Sequence, residues 1–123
     1  MSNRCLRVLA DPVQIQTCKE TIDNIQNTIT YVSQIFNLAG NEVRLKILFL
    51  LYKEEQMCPC DLSDVLDMTV PAVSQHLRKL KDARMVVDKK VAQSIFYSIK
   101  TENTETIIPV LIALVGKSHK VIK

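Results

Sequence analysis

The chain has 123 residues, 47% of them apolar, which suits one compact domain with its own core and excludes a disordered chain. The net charge of +3 is unevenly placed: residues 1–69 carry six Lys/Arg against nine Asp/Glu, residues 70–100 seven against two, and residues 101–123 three against two. A basic middle beside an acidic remainder points to an acidic partner, and nucleic acid is the commonest one.

No apolar run approaches the roughly 20 residues that span a membrane. The start MSNRCLRVLADP lacks the layout of a signal peptide. A cytoplasmic protein without a membrane partner is therefore expected. Thiols stay reduced there, so four cysteines suggest metal or redox chemistry more than structural disulfides.

Asp11-Pro12 reads as a helix start, with Asp as N-cap and Pro at the first helical position. From there Ile22, Ile25, Ile29, Val32 and Ile35 or Phe36 recur every three or four residues, either in one long helix or in two joined by a kink. Gly40 can stop this helix and Asn41 can cap the next. That next segment, EVRLKILFLLYKEE (42–55), is apolar enough to be central and buried, with Arg44 and Lys46 near its exposed start.

Residues 61–67 place Leu62, Val65 and Leu66 on one face, and residues 70–84 place Val73, Leu77 and Leu80 on one face. Met68-Thr69 lies between, with Thr69 as a cap and Pro71 in the first turn. Two short helices joined by a tight turn, the second basic, form a helix-turn-helix. MVVDKKVAQSIFYSIK (85–100) follows, with β-branched and alternating residues on either side of a polar stretch. It predicts a hairpin with Lys89, Lys90 and Gln93 near its tip, in other words a wing. The tail predicts a last helix over about 103–118, sticky at Ile107, Ile108, Leu111, Leu114 and Val115, with Pro109 near its start or bending it. The fold expected is mainly α with a small β-hairpin: a winged helix-turn-helix over 1–123, with an N-terminal arm over about 1–20. Two greasy terminal helices predict a homodimer.

On the second helix of the pair, Ser74, Gln75, Arg78 and Lys79 lie opposite the apolar face, with His76 at the flank. Gln bonds adenine in a bidentate way, and Ser, His and Arg reach base edges or phosphates. Thr69, Val70 and Pro71 at the helix start suit a phosphate oxygen, and Lys89, Lys90 and Gln93 suit backbone or minor groove. The alternative is an ordinary solvated face, or packing in the case of His76.

Cys58 and Cys60 flank Pro59. They are too close for a relaxed disulfide with each other. In a regular helix, positions i and i+2 point away from each other, but at a helix entrance both sulfurs can turn to one side. Two thiols rarely complete a soft-metal site, which wants three or four ligands. Cys5 and Cys18 are the other cysteines, and each of the four could instead be a small buried hydrophobe.

The run MCPCDLSDVLDMTVPAVSQHLRKLKDARMV, followed by IFYSI, resembles the ArsR/SmtB family of metal-sensing bacterial repressors over roughly residues 35–100. The resemblance implies a winged helix-turn-helix dimer that sits on double-stranded operator DNA and leaves it when metal binds. Arsenic-sensing members place a third cysteine where this chain has Ser63. Cadmium- and lead-sensing members pair the same two cysteines with others from the N-terminal arm. That implies Cys58 and Cys60 with Cys5 and Cys18 as ligands of a thiophilic inducer ion, Cd, Pb, Zn or Hg, and no organic cofactor. A second family site, at the start of the last helix, has Thr101 and Asn103 at its first ligand positions and Leu114 and Lys117 at its later ones. It is therefore expected to be absent, with His119 alone. The wing has no glycine at its tip.

Two other functions use the same residues: a thiol redox or persulfide sensor, and a winged-helix module that binds protein. An enzyme is not expected. The chain has no glycine-rich phosphate loop, and its two His have no triad partners.

Overall fold

Asp11 opens the first helix as its sequence suggests: its carboxylate accepts from the Gln14 amide at 3.0 Å and its carbonyl from the Ile15 amide at 3.0 Å. The computed structural model describes residues 8–121 and the side chains of 8–116. Helix α1 (Pro12–Ala39) runs without a break, so the stripe belongs to one long helix. The chain divides into two units, residues 1–31 and residues 32–123. In the first, Val13, Ile15, Ile22, Ile25 and Ile29 of α1 are all exposed.

The second unit holds the rest. Helix α1 stops before Gly40, whose amide still bonds the Phe36 carbonyl at 2.7 Å and where a Cβ would lie 2.9 Å from that same oxygen. Asn41 then caps α2 (Glu42–Glu54), accepting from the Arg44 amide at 3.0 Å. Ile47, Leu48 and Leu51 of α2 are buried, which makes it the central helix. Lys46 lies at its exposed start, but Arg44 is half-buried, because its guanidinium bonds groups of α1 and α4.

Helices α3 (Pro59–Leu66) and α4 (Val70–Asp82) follow, then strands β1 (Val86–Val91) and β2 (Ser94–Ile99) in one antiparallel hairpin, with Val86 opposite Ile99 and Val91 opposite Ser94. Val73, Leu77 and Leu80 are fully buried, as their spacing predicts. On α3 the expected face is corrected. Leu62 is buried and Leu66 half-buried, but Val65 is 56% exposed. The buried arc turns the other way, toward Ser63, whose hydroxyl finds a partner in the following turn.

A short 3-10 turn α5 (Thr101–Asn103) precedes the last helix, α6 (Ile108–Val121). Thr104, fully buried, donates to the Lys100 carbonyl at 3.0 Å, and the turns around it delay α6 past residue 103. Pro109 falls in the first turn of α6, where it costs no hydrogen bond. Ile107 and Leu111 do not form an outward sticky face. They are buried in the chain's own core, where α6 packs on α2, and Val110 and Ile112 are the exposed apolar residues of this helix. No helix among the described residues is long and apolar enough to cross a membrane.

Candidate nucleic-acid interface and thiol pair

Helix α4 starts at Thr69, whose extended backbone and hydroxyl, accepting from the Ala72 amide at 3.3 Å, form an N-cap. With Val73, Leu77 and Leu80 facing inward, the opposite side is committed outward. Gln75, Arg78 and Lys79 are exposed and Ser74 is half-buried, while Thr69, Val70 and Pro71 are exposed at the helix start. His76 is half-buried at the flank, with Nδ1 3.4 Å from Nη1 of Arg44. Burial, then the charges of Arg44 and Lys79, push its pKa below 6.5.

The turn between α3 and α4 is fixed by Ser63. Asp67 adopts the left-handed conformation at φ 53°, which brings the Met68 amide to the Ser63 carbonyl at 3.1 Å. The Ser63 hydroxyl donates to the Met68 carbonyl. Ser63 enters the sequence reading only as a missing cysteine. Its spacing of five residues to Met68 is the signal that could have placed it.

The wing presents Lys89, Lys90 and Gln93 as exposed side chains. With no glycine in the turn, Ala92 takes the left-handed conformation at φ 57°. Lys81, near the end of α4, is paired with Asp88 of β1 at 2.9 Å, which joins reading helix to wing. The hydrogen bond to Asp88 raises the Lys81 pKa, and the same bond lowers that of Asp88. One lysine of this basic region is thus paired within the chain, at its surface.

The thiol pair sits at the head of α3. Cys58 is the N-cap, extended at φ −90° and ψ 158°, Pro59 is the first helical residue, and the Leu62 amide bonds the Cys58 carbonyl at 3.1 Å. Cys58 is half-buried and Cys60 exposed. The preceding residue is anchored: the Met57 amide donates to the Tyr97 carbonyl at 3.1 Å, and the Tyr97 amide to the Met57 carbonyl at 2.9 Å. This backbone bridge attaches the thiol pair to strand β2 of the wing.

These features have known counterparts. The model of the arsR family of bacterial regulatory proteins matches residues 41–87, from the cap of α2 into the first strand of the wing. An uncharacterized HTH-type transcriptional regulator of Methanocaldococcus jannaschii is 37% identical over 76 residues, 62% of this chain and 85% of that protein. The chain belongs to the arsR family.

Within that family it is similar to the cadmium resistance transcriptional regulatory protein CadC of Listeria innocua, at 36% identity over 69 residues, 56% of this chain. The match spans 58% of that relative's length. The crystal structure of the transcriptional regulator HlyU of Vibrio vulnificus superposes with a TM-score of 0.67 at 26% identity, covering 76% of this chain and 97% of that one. The fold is thus the winged helix-turn-helix of arsR-family regulators.

As a metal site, the Cys58–Cys60 pair would supply two donors. Its two thiols suit a soft ion, which takes three or four ligands. Among the described residues no three His, Cys, Asp or Glu come together in this chain to hold an ion. Cys18 is exposed on α1 in the first unit, and Cys5 lies outside the described residues. At the second family site, Asn103 donates to the Arg84 carbonyl at 3.0 Å, and His119 lies beyond the described side chains.

Proposed function

We propose that this chain is a metal-responsive transcriptional repressor. It binds double-stranded operator DNA as a homodimer and releases it when a thiophilic ion (Cd, Pb, Zn or Hg) is held by cysteine thiolates. The observation that carries the reading is the position of Cys58 and Cys60 at the head of the first reading helix, with Met57 hydrogen-bonded into the wing. The sulfurs sit at the head of α3, which packs on α4, and Cys58 follows the residue bridged to the wing. The similarity to a cadmium resistance regulator supports the same reading.

In this reading Ser74, Gln75, Arg78 and Lys79 face the major groove, with His76 at their flank. Thr69, Val70 and Pro71 set the helix start against a phosphate, and Lys89, Lys90 and Gln93 follow the backbone beside it. Cys58 and Cys60 provide two sulfurs, and the set is completed by Cys18 and Cys5 of the same or a second copy. A soft ion supplies one cross-link between thiolates. The cross-linked chain holds α3, α4 and the wing in an arrangement that no longer fits two half-sites. A coupling of about 1–3 kcal/mol changes DNA affinity by roughly 5–150-fold.

The test is a Cd(II) titration of reduced protein, followed by sulfur-to-metal ultraviolet absorption and by release of a fluorescent operator duplex. Wild type is expected to saturate and release, and a Cys58→Ser/Cys60→Ser variant to bind DNA without release. Release by oxidant but not by Cd(II) would replace the metal reading with a redox one. No binding to upstream DNA at low salt would point to a protein-binding module.

A further inference from the structure

Arg44 lies on neither the thiol pair nor the outward face of α4, yet its guanidinium makes two directed contacts. Nε donates to the Leu38 carbonyl at 2.8 Å, in the last turn of α1. Nη1 lies 3.4 Å from Nδ1 of His76 on α4. The base of the side chain is fixed as well, because the Arg44 amide is bonded by the Asn41 cap at 3.0 Å. One half-buried side chain rooted in α2 therefore ties the end of α1 to the reading helix.

The chemistry of this tie is one-sided. A guanidinium has donors only, so Nδ1 of His76 must accept, which requires the neutral ring with its proton on Nε2. A second ring proton removes the acceptor and sets like charges against each other. Helices α2 and α3 and strand β1 all pack on α4. The charges that act on the ring are Arg44 from α2 and Lys79 from α4 itself; among the described residues no carboxylate offsets them.

We propose that Arg44 is a positioning residue for DNA reading: within the orientation that the buried face of α4 sets, its bond to Nδ1 of His76 steadies the flank that presents Gln75 and Arg78. The inference rests on the DNA-binding reading above. His76 lies between these two residues in sequence, so its release shifts both. The sign of the pH response separates this role from direct contact. A histidine that meets a phosphate binds DNA more tightly once protonated. One held as acceptor by Arg44 loses its tie on protonation, and affinity falls with pH.

The experiment follows fluorescence anisotropy of a duplex from the region upstream of the chain's own gene, from about pH 8 to about pH 5.5, across the histidine range. Wild type is compared with Arg44→Gln and His76→Asn. Both variants keep His119, so slope differences belong to the Arg44–His76 pair. Wild-type affinity is expected to fall about tenfold on acidification. Arg44→Gln is expected to be about tenfold weaker at the alkaline end and to lose the fall. His76→Asn is expected to be flat with pH, whatever its level. In the free protein, the His76 imidazole resonances of Arg44→Gln should titrate at higher pH than in wild type, which also shows that the variant folds.

The same slope in all three proteins, or wild-type affinity that rises on acidification, overturns the positioning role and leaves DNA binding standing. A wild type that binds no DNA at any pH, with the imidazole shift still present, overturns the DNA reading, and the inference falls with it.

Discussion

Arg78 is exposed on the outward face of α4, and its energetic role differs from that of its neighbour Lys81, whose ammonium is already paired with Asp88. Arg78→Ala is expected to weaken operator binding by about 1–3 kcal/mol, as for loss of a bidentate base contact, and to leave Cd(II) affinity unchanged. Anisotropy titration and metal absorption read the two quantities separately, and unchanged operator affinity would remove Arg78 from the interface. Ala92 poses the opposite case, a residue whose side chain contributes nothing and whose backbone is held at φ 57°. An L-residue pays roughly 1–2 kcal/mol there, part of which glycine returns as extra freedom of the unfolded chain. Ala92→Gly should therefore raise stability by up to about 1 kcal/mol, seen as a higher thermal midpoint.

At the scale of elements, the helix-turn-helix is held by two different forces, and their magnitudes can be compared. Removing the Thr69 cap in Thr69→Ala should cost about 1 kcal/mol. Leu77, fully buried between the helices, should cost about 2–5 kcal/mol as Leu77→Ala. Packing thus dominates capping, and chemical denaturation of the two variants checks the order. The reading helix was legible in the sequence because its cap, its proline and its three-or-four spacing all fall within one short run. Val65 reads as part of the buried face because periodicity leaves two flanks beside Leu62 open. The choice is made by a hydroxyl that must find a carbonyl, Ser63 with Met68. Ile107 and Leu111 look outward in sequence because the side chains that cover them belong to α2, far away in the chain. Arg44 is unreadable for the same reason, since its partner His76 is 32 residues on. The Cys-Pro-Cys pair and its helix entrance were legible, but which thiols complete the donor set was not, because spacing along a chain does not fix distance through space.

For the whole molecule, the exposed apolar residues Ile22, Ile25 and Ile29 of α1 and Val110 and Ile112 of α6 are the surfaces on which the proposed homodimer is tested. Sedimentation is expected to give twice the chain mass of 14.0 kDa, and Ile25→Glu to shift the population toward monomer with weaker operator binding. A monomeric wild type that binds operator tightly would contradict the two-half-site arrangement. The backbone bridge between Met57 and Tyr97 has a further consequence at this scale. A lone two-stranded hairpin is marginal in water, so the wing opens and closes on its own clock unless something pins its base. Here one pin, beside the Lys81–Asp88 pair, is the peptide next to Cys58. The deuterium uptake of the Tyr97 amide therefore records how firmly the thiol-bearing segment is held. An event at the sulfurs should be visible as a change in the exchange rate of a single proton in the opposite strand, before any DNA is present.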